Sequence, residues 1–390
     1  MHVRTDWPRK IRELENVWIP MPDGCHLAAR IWLPEDAETH PVPAILQDTL
    51  RWWDHWLKDE ATGIMDEPQV RVWMQDSIRP ATRYVERPGR WIAEKEWPGP
   101  RIENQELRLT RNGLDDGDGA GTSEALLCQS PLRTGLSAGK WCSYSAGPDM
   151  PGDQREADGD SLCFETEPLS ETLEIFGAPV VALVLACDQP EAQVAVRLCD
   201  VAPDGASTRV TYGVLNLSHR DGHSKPEALA PGESCRVHVH LNEIAQNFPA
   251  GHCIRLSLSS NYWPLIWPSP EPTALTIWSE VSTLTLPVRP PSEVDREHPE
   301  FAPPEGAPEV ATTEVEAEAT NWSLHYDFDA NTHTLEMDDS EGIFHIDSTA
   351  TDVQMSGYER YRIEATLKAF EDGDLVYEHD WNRLIPRKHV

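Results

Sequence analysis

With 390 residues, 39% hydrophobic content and 33 prolines, the chain is long enough for two or three domains around a buried, loop-rich core. Its 66 acidic against 33 basic side chains give a formal net charge of −33, which repels phosphate backbones and anionic bilayers and argues against nucleic-acid and membrane partners. No apolar run approaches the roughly 20 residues of a membrane helix, and Met1 to Leu14 shows no apolar signal-peptide core.

In chain order, Asn16–Pro20 and His26–Leu33 read as two strands joined by a Met21-Pro22-Asp23-Gly24 turn, with Asp-Gly the strongest turn signal. Val42–Leu46 reads as a third, short strand. Asp48 is placed to cap a helix from Thr49 to about Lys58, with Leu50, Trp53 and Leu57 on one face and Trp52 and Trp56 beside it. Asp66-Glu67-Pro68 leads into a strand at Val70–Met74.

From about Glu106 strands succeed one another. Leu173–Ile175, Val180–Cys187, Gln193–Val201, Thr208–Leu217, Cys235–Leu241, Ile254–Ser259 and Thr283–Val288 are separated by turn clusters at Asp188–Glu191, Ala202–Ala206 and Pro249–Gly251. In Arg236–Leu241 the alternation sends Val237, Val239 and Leu241 to one side and His238 and His240 to the other. This density of short strands predicts a mainly β chain whose centre is a β-sandwich or jelly roll. Residues 291–315 are Pro- and Glu-rich and read as a linker. Residues 316–390 read as a small β-rich appendage, with strands at Trp322–Phe328, Gly342–Ile346, Tyr361–Phe370 and Leu375–Tyr377.

Several of these segments carry a family resemblance. Ile19-Pro20-Met21-Pro22-Asp23-Gly24 followed by Leu27–Pro34 resembles the opening of the CocE/NonD hydrolases, relatives of X-Pro dipeptidyl-peptidase and cocaine esterase. Arg51–Lys58 resembles the helix that follows the catalytic histidine in that family, and Met65–Pro68 with Val70–Met74 continues the match. Val196–Gly205 and Phe248–His252 resemble its C-terminal jelly-roll domain, which is galactose-binding-like in fold. The resemblance implies five parts. These are a vestigial N-terminal α/β-hydrolase segment at 1–47, a Trp-rich helix and connector at 48–100 and the jelly roll at 101–290, followed by the linker and the appendage.

It also exposes a gap. In the family, Val42–Leu46 would lead to an oxyanion-hole tyrosine, then a serine elbow, helical cap insertions, a catalytic Asp and a catalytic His. Here Leu46-Gln47 runs directly into Asp48–Lys58, so no residue aligns with the triad. Serine acyl transfer needs a base, a group that orients the base, and oxyanion donors. The expectation is a truncated, catalytically inactive relative with no catalytic, cofactor-binding or metal-binding residue, whose jelly roll acts in packing or binding. Two alternatives stand beside it: a serine hydrolase (dipeptidyl-peptidase or acyl esterase) completed by a catalytic domain in trans, and a carbohydrate-binding module using Trp263 and Trp267.

Four patterns imitate sites. Gly135-Leu136-Ser137-Ala138-Gly139 is a formal G-x-S-x-G, but no apolar strand precedes it and no helix follows, so it reads as a loop. His238 with His240, and His219 with His223, offer pairs without a third metal ligand. Asp115–Gly119 lacks calcium-loop spacing, with Ala120 and Leu127 where acidic ligands belong. Asn216-Leu217-Ser218 and Asn321-Trp322-Ser323 are sequons, which matter only in a secreted chain. The eight cysteines form no CxxC pair and lie mostly in apolar runs, as reduced core thiols of a cytoplasmic protein would. The Trp52/Trp53/Trp56 helix and the N-terminal strands are the expected surface for self-association or a protein partner, and any small-molecule or glycan ligand is unassigned.

Overall fold

The structure is a computed structural model that describes residues 11–20, 26–34, 45–117, 121–143, 148–296, 319–330, 332–340, 360–371 and 374–386. Its centre is a sandwich of two sheets. The larger runs in the order Gly89–Glu94, Val70–Gln75, Ile244–Phe248, Leu173–Gly177, Thr283–Val288, Val180–Cys187, Leu275–Trp278 and Ala125–Cys128, with Cys235–His240, Glu103–Thr110 and Gly113–Asp115 off this path. The smaller runs Ser207–Asn216, Gln193–Val201, Cys253–Ser259, Leu162–Glu165. Its three pairings are antiparallel. In the larger sheet the pairing of Ile244–Phe248 with Val70–Gln75 is parallel.

Period-two burial explains why the sheets face each other. Val181, Leu183 and Leu185 from the larger sheet enter one core with Val194, Val196, Leu198, Leu256 and Leu258 from the smaller. Each fully buried side chain of this kind contributes about 1.5–3 kcal/mol of transfer free energy. Along Cys235–His240 the burial alternates as the sequence requires: Val237 and Val239 are buried, His238 and His240 exposed.

The larger sheet draws on strands before residue 101. Met74 and Ile92, from Val70–Gln75 and Gly89–Glu94, form a second small core with Phe176 and Ala245. That edge is locked by charge. Arg289 is fully buried and donates to Glu94 Oε1 at 2.6 Å and to Asp295 Oδ1 at 2.6 Å, and lies 3.4 Å from Glu174 Oε2. Arg101 donates to both oxygens of Glu94 at 2.8 and 2.9 Å, and Arg90 pairs with Glu174.

The N-terminal strands Ile11–Pro20 and His26–Pro34 pair antiparallel, with a bulge between Leu14 and Val17. The predicted Met21–Gly24 turn lies outside the described residues. Helix α1 spans Ile45–Lys58. This corrects the sequence reading twice. Ile45 and Leu46 are helical rather than strand, and Asp48 sits inside the helix rather than capping it. Leu46 extends the spacing of Leu50, Trp53 and Leu57 by one turn backwards, and the rest of the predicted Val42–Leu46 strand lies outside the described residues. In the appendage, Ala319–Asp327 pairs with Thr332–Ser340, and Arg360–Glu371 with Asp374–Pro386. The predicted Gly342–Ile346 strand and most of the 291–315 linker lie outside the described residues, apart from a 3₁₀ turn at Glu293–Arg296. Among the described residues, no helix is long and apolar enough to cross a membrane.

Candidate functional site

The second face of the smaller sheet carries a buried polar network. Where Val194, Val196 and Leu198 point into the core, Ala195, Arg197 and Cys199 point the other way, and all three are buried. The cover comes from Ala157–Ser161 and from Tyr262. Arg197 Nη2 donates to Ala157 O at 3.2 Å, Asp158 Oδ1 at 3.2 Å and Ser161 Oγ at 2.8 Å. Asp158 also accepts from Ser207 Oγ and Ser257 Oγ, both at 2.8 Å, and from Arg255 Nη1 at 2.9 Å. The Arg197 guanidinium lies 5.1 Å from the centre of the Tyr262 ring. Tyr262 Oη donates to Gln154 Oε1 at 3.2 Å and accepts from Arg209 Nη1 at 3.0 Å. Burial pushes the Cys199 thiol up to about 12, so this cysteine is a packed, inert group.

Ser137 borders this network. Its Oγ lies 3.4 Å from Gln154 Nε2, which donates mainly to the carbonyls of Ser137 and Gly152 at 2.9 and 2.7 Å. An amide N–H pointing at the hydroxyl cannot take its proton, so Gln154 is no general base. The glycines of the motif have packing reasons. A Cβ on Gly135 would sit 2.5 Å from the carbonyl oxygens of Tyr262 and Trp263. Gly139 has φ +70° and would press a Cβ to 2.6 Å from Asp149 O. The segment is a 3₁₀ turn, Leu132–Gly135, running into a tight loop, not the strand-turn-helix of a nucleophile elbow.

Two other groupings approach catalytic geometry. His252 Nδ1 and Asp200 Oδ1 lie 2.7 Å apart, the orienting half of a triad, but no hydroxyl bonds the ring among the described residues. On the appendage hairpin, Ser323 Oγ, His325 Nε2 and Glu336 Oε2 lie 3.3–3.4 Å from one another. All of the histidine's contacts run through Nε2. A triad needs the serine on one ring nitrogen and the acid on the other, and these groups are solvent-exposed on a two-stranded hairpin. Sequence reading missed both groupings, because pairs 52 and 13 residues apart meet only through strand register.

The remaining motifs disperse. His219 and His223 meet with Nδ1 atoms 3.0 Å apart on an exposed loop. Among the described residues no group of three or more His, Cys, Asp or Glu side chains could hold a metal ion. Part of Asp115–Gly119 lies outside the described residues. Trp263 is buried and meets the His333 ring edge-on at 5.4 Å, so of the two tryptophans suggested for sugar stacking only Trp267 is exposed. The described cysteines are all unpaired.

Residues 62–294, spanning the sandwich and its buried polar face, match the family model of the X-Pro dipeptidyl-peptidase C-terminal non-catalytic domain. The chain belongs to this family. Cocaine esterase of Rhodococcus sp. (strain MB1 Bresler) is 24% identical over 240 residues, covering 58% of this chain and 40% of the esterase. An aminopeptidase from a marine-sediment Thaumarchaeota archaeon superposes with TM-score 0.48 at 19% identity, over 62% of this chain and 43% of the other. A CocE/NonD family hydrolase from Staphylococcus aureus gives TM-score 0.48 at 15% identity, over 64% and 47%. The chain spans less than half the length of each of these relatives.

Proposed function

We propose that this chain is a non-catalytic relative of the CocE/NonD hydrolases, in which the sandwich is the folded unit and acts in packing or binding. The observation that carries this reading is the environment of Ser137: its only side-chain partner among the described residues is an amide donor, and its flanking glycines are required by close backbone approach. The matched family is itself described as a non-catalytic domain. The N-terminal resemblance supports the same reading, because only residues 35–44 separate the hydrolase-like opening from α1, too few for the segment that carries the family's serine elbow, acid and histidine. The folded unit in this reading begins near Val70, where the first sandwich strand enters the larger sheet. Unpaired cysteines throughout the sandwich support a reducing, cytoplasmic setting.

The test separates motif from packing. Ser137→Ala is expected to change stability by no more than about 0.5 kcal/mol, because the hydroxyl makes one long contact with Gln154 Nε2, which keeps its two carbonyl acceptors. It is also expected to leave labelling by a fluorophosphonate probe at background. Gly135→Ala is expected to cost about 1–3 kcal/mol, measured by urea unfolding, because a methyl group there overpacks the Tyr262–Trp263 backbone. Robust probe labelling that Ser137→Ala abolishes would refute the non-catalytic reading.

A further inference from the structure

The appendage hairpin of Ala319–Asp327 and Thr332–Ser340 is amphipathic. Its register sets Trp322 opposite Met337, Leu324 opposite Leu335 and Tyr326 opposite His333, so these residues share one face. His325, Asp327, Thr334 and Glu336 take the other. Exposure follows the split. Trp322, Leu324, His333 and Leu335 are half-buried, whereas His325, Asp327, Thr334 and Glu336 are exposed.

The apolar face lies against the sandwich. The ring centres of His333 and the buried Trp263 are 5.4 Å apart, and the Lys140 ammonium sits 4.9 Å from the centre of the Trp322 ring. His333 also stacks on Tyr326, its cross-strand neighbour, at 4.4 Å. A two-stranded ribbon is marginal in water by itself, so this docked face is what keeps the hairpin folded. The hairpin and the sandwich belong to one chain, so docking is intramolecular and independent of protein concentration.

His333 is the one member of that face able to change its charge near neutral pH. Its Nδ1 is sealed from solvent and has no hydrogen-bond partner among the described residues. A neutral ring protonated on Nε2 tolerates this position. The imidazolium would carry an N–H at Nδ1 with neither water nor an acceptor to receive it. Attraction of the cation to the Tyr326 ring offsets only part of that loss. Burial accordingly holds the imidazole below its ordinary value. The surrounding titratable groups offer no counter-charge. Lys140 is itself a cation. Tyr262, next to Trp263, is hydrogen-bonded to Gln154 and Arg209, and Asp149, near Lys140, accepts from Ser143. His325, Asp327 and Glu336 lie on the far face of the hairpin.

We propose that the 319–340 hairpin is a pH-released clip, which covers Trp263 and Lys140 while His333 is neutral and leaves them when the ring takes up a proton. The proposal is independent of whether the chain hydrolyses anything. The sign follows from linkage. A histidine whose pKa is lower in the docked state favours release as pH falls. Docking is at full strength above the ordinary histidine value of about 6.5, and weakens about tenfold per pH unit between that value and the docked one.

The experiment is amide hydrogen exchange of the full chain at about pH 7.5 and about pH 5, corrected for the intrinsic pH dependence of exchange. Segments 319–340 and 262–267 are expected to be protected at the higher pH and to lose protection together at the lower. Val180–Cys187, in the sandwich core, is expected to stay protected at both. His333→Phe keeps an aromatic ring and cannot take up a proton, so its hairpin is expected to remain protected at both pH values. In the wild type, the His333 imidazole followed by NMR is expected to titrate below about 6.5. Equal protection of the wild-type hairpin at the two pH values overturns the proposal. So does a loss in acid that His333→Phe retains, or a His333 ring that titrates at or above its ordinary value.

Discussion

Asp158→Ala is expected to destabilise the sandwich by about 3–5 kcal/mol, the cost of stripping the buried Arg197 guanidinium of its carboxylate partner. The carboxylate accepts from two arginines and two serines, and it is almost wholly buried. Arg197 cannot compensate. Its Nε and Nη1 have no hydrogen-bond partner among the described residues, and the side chain is fully inaccessible. Without Asp158, Arg197 keeps its full charge beneath the Tyr262 ring with only Ala157 O and Ser161 Oγ to receive it. Arg255 would retain Glu165, which its Nε meets at 2.7 Å, so the damage concentrates on Arg197. Adding Arg197→Met to Asp158→Ala should recover part of the loss, because an apolar chain of similar length needs no counter-charge. Urea unfolding of the four species measures the coupling. A loss below about 1 kcal/mol for Asp158→Ala would mean that the region is hydrated rather than sealed.

Arg289→Met is expected to cost a similar 3–5 kcal/mol, by the opposite sign of the same physics. It would leave Glu94, Glu174 and Asp295 gathered around a site with no central cation. Arg101 and Arg90 reach Glu94 and Glu174 from the rim, but among the described residues Asp295 has its ion pair with Arg289 alone. The variant should also change the acid limb of stability. Burial works to raise the Asp295 carboxyl, but the Arg289 hydrogen bonds and charge, with the Ser292 N–H, outweigh it and hold the group below the usual range. A depressed folded pKa contributes stability that is present above the unfolded value of about 3.9 and is lost as pH falls through the folded one. Without Arg289 the burial effect is opposed by less, the Asp295 pKa rises towards or past the unfolded value, and the stability lost through this group on acidification shrinks, so the gap between the two proteins narrows as pH falls. Thermal unfolding between about pH 3 and 7 reads this shift, and parallel acid limbs for the two proteins would show that Arg289 does not hold the carboxylate.

The parts of the fold legible in the sequence are those where local pattern and tertiary role agree. Arg236–Leu241 alternates cleanly because one face meets the core and the other meets water. The amphipathic spacing of Leu50, Trp53 and Leu57 marks α1. The runs around Val196–Gly205 and Phe248–His252 were distinctive enough to carry the family resemblance that the match over residues 62–294 now shows. What was hidden depends on partners far along the chain. Gly89–Glu94 ends in a glutamate that looks solvent-bound, yet Glu94 is buried because Arg289, 195 residues later, lies against it. Arg197 interrupts an apolar strand and reads locally as a solvent-facing position, but Ala157–Ser161 and Tyr262 close over it. Ile244–Phe248 carries Gln246 and Asn247, and Thr332–Ser340 ends in acidic residues, so neither announces a strand. The start of α1 is hidden because Asp48 is a good cap by type and the apolar pair Ile45-Leu46 fits a strand as well as a helix. For the candidate site, the loop character of 135–139 was legible. The reason its glycines are needed was not, because the backbone they approach belongs to Tyr262, Trp263 and Asp149.

In the proposed reading this chain does not cleave acyl bonds by itself. Turnover of an Xaa-Pro chromogenic anilide and of a simple aryl ester by the purified full chain tests it most directly. The expected rate is that of buffer alone, identical for the wild type and Ser137→Ala. A hydrolysis rate that scales with protein concentration and disappears on replacing Ser137, or another single serine, would contradict the claim.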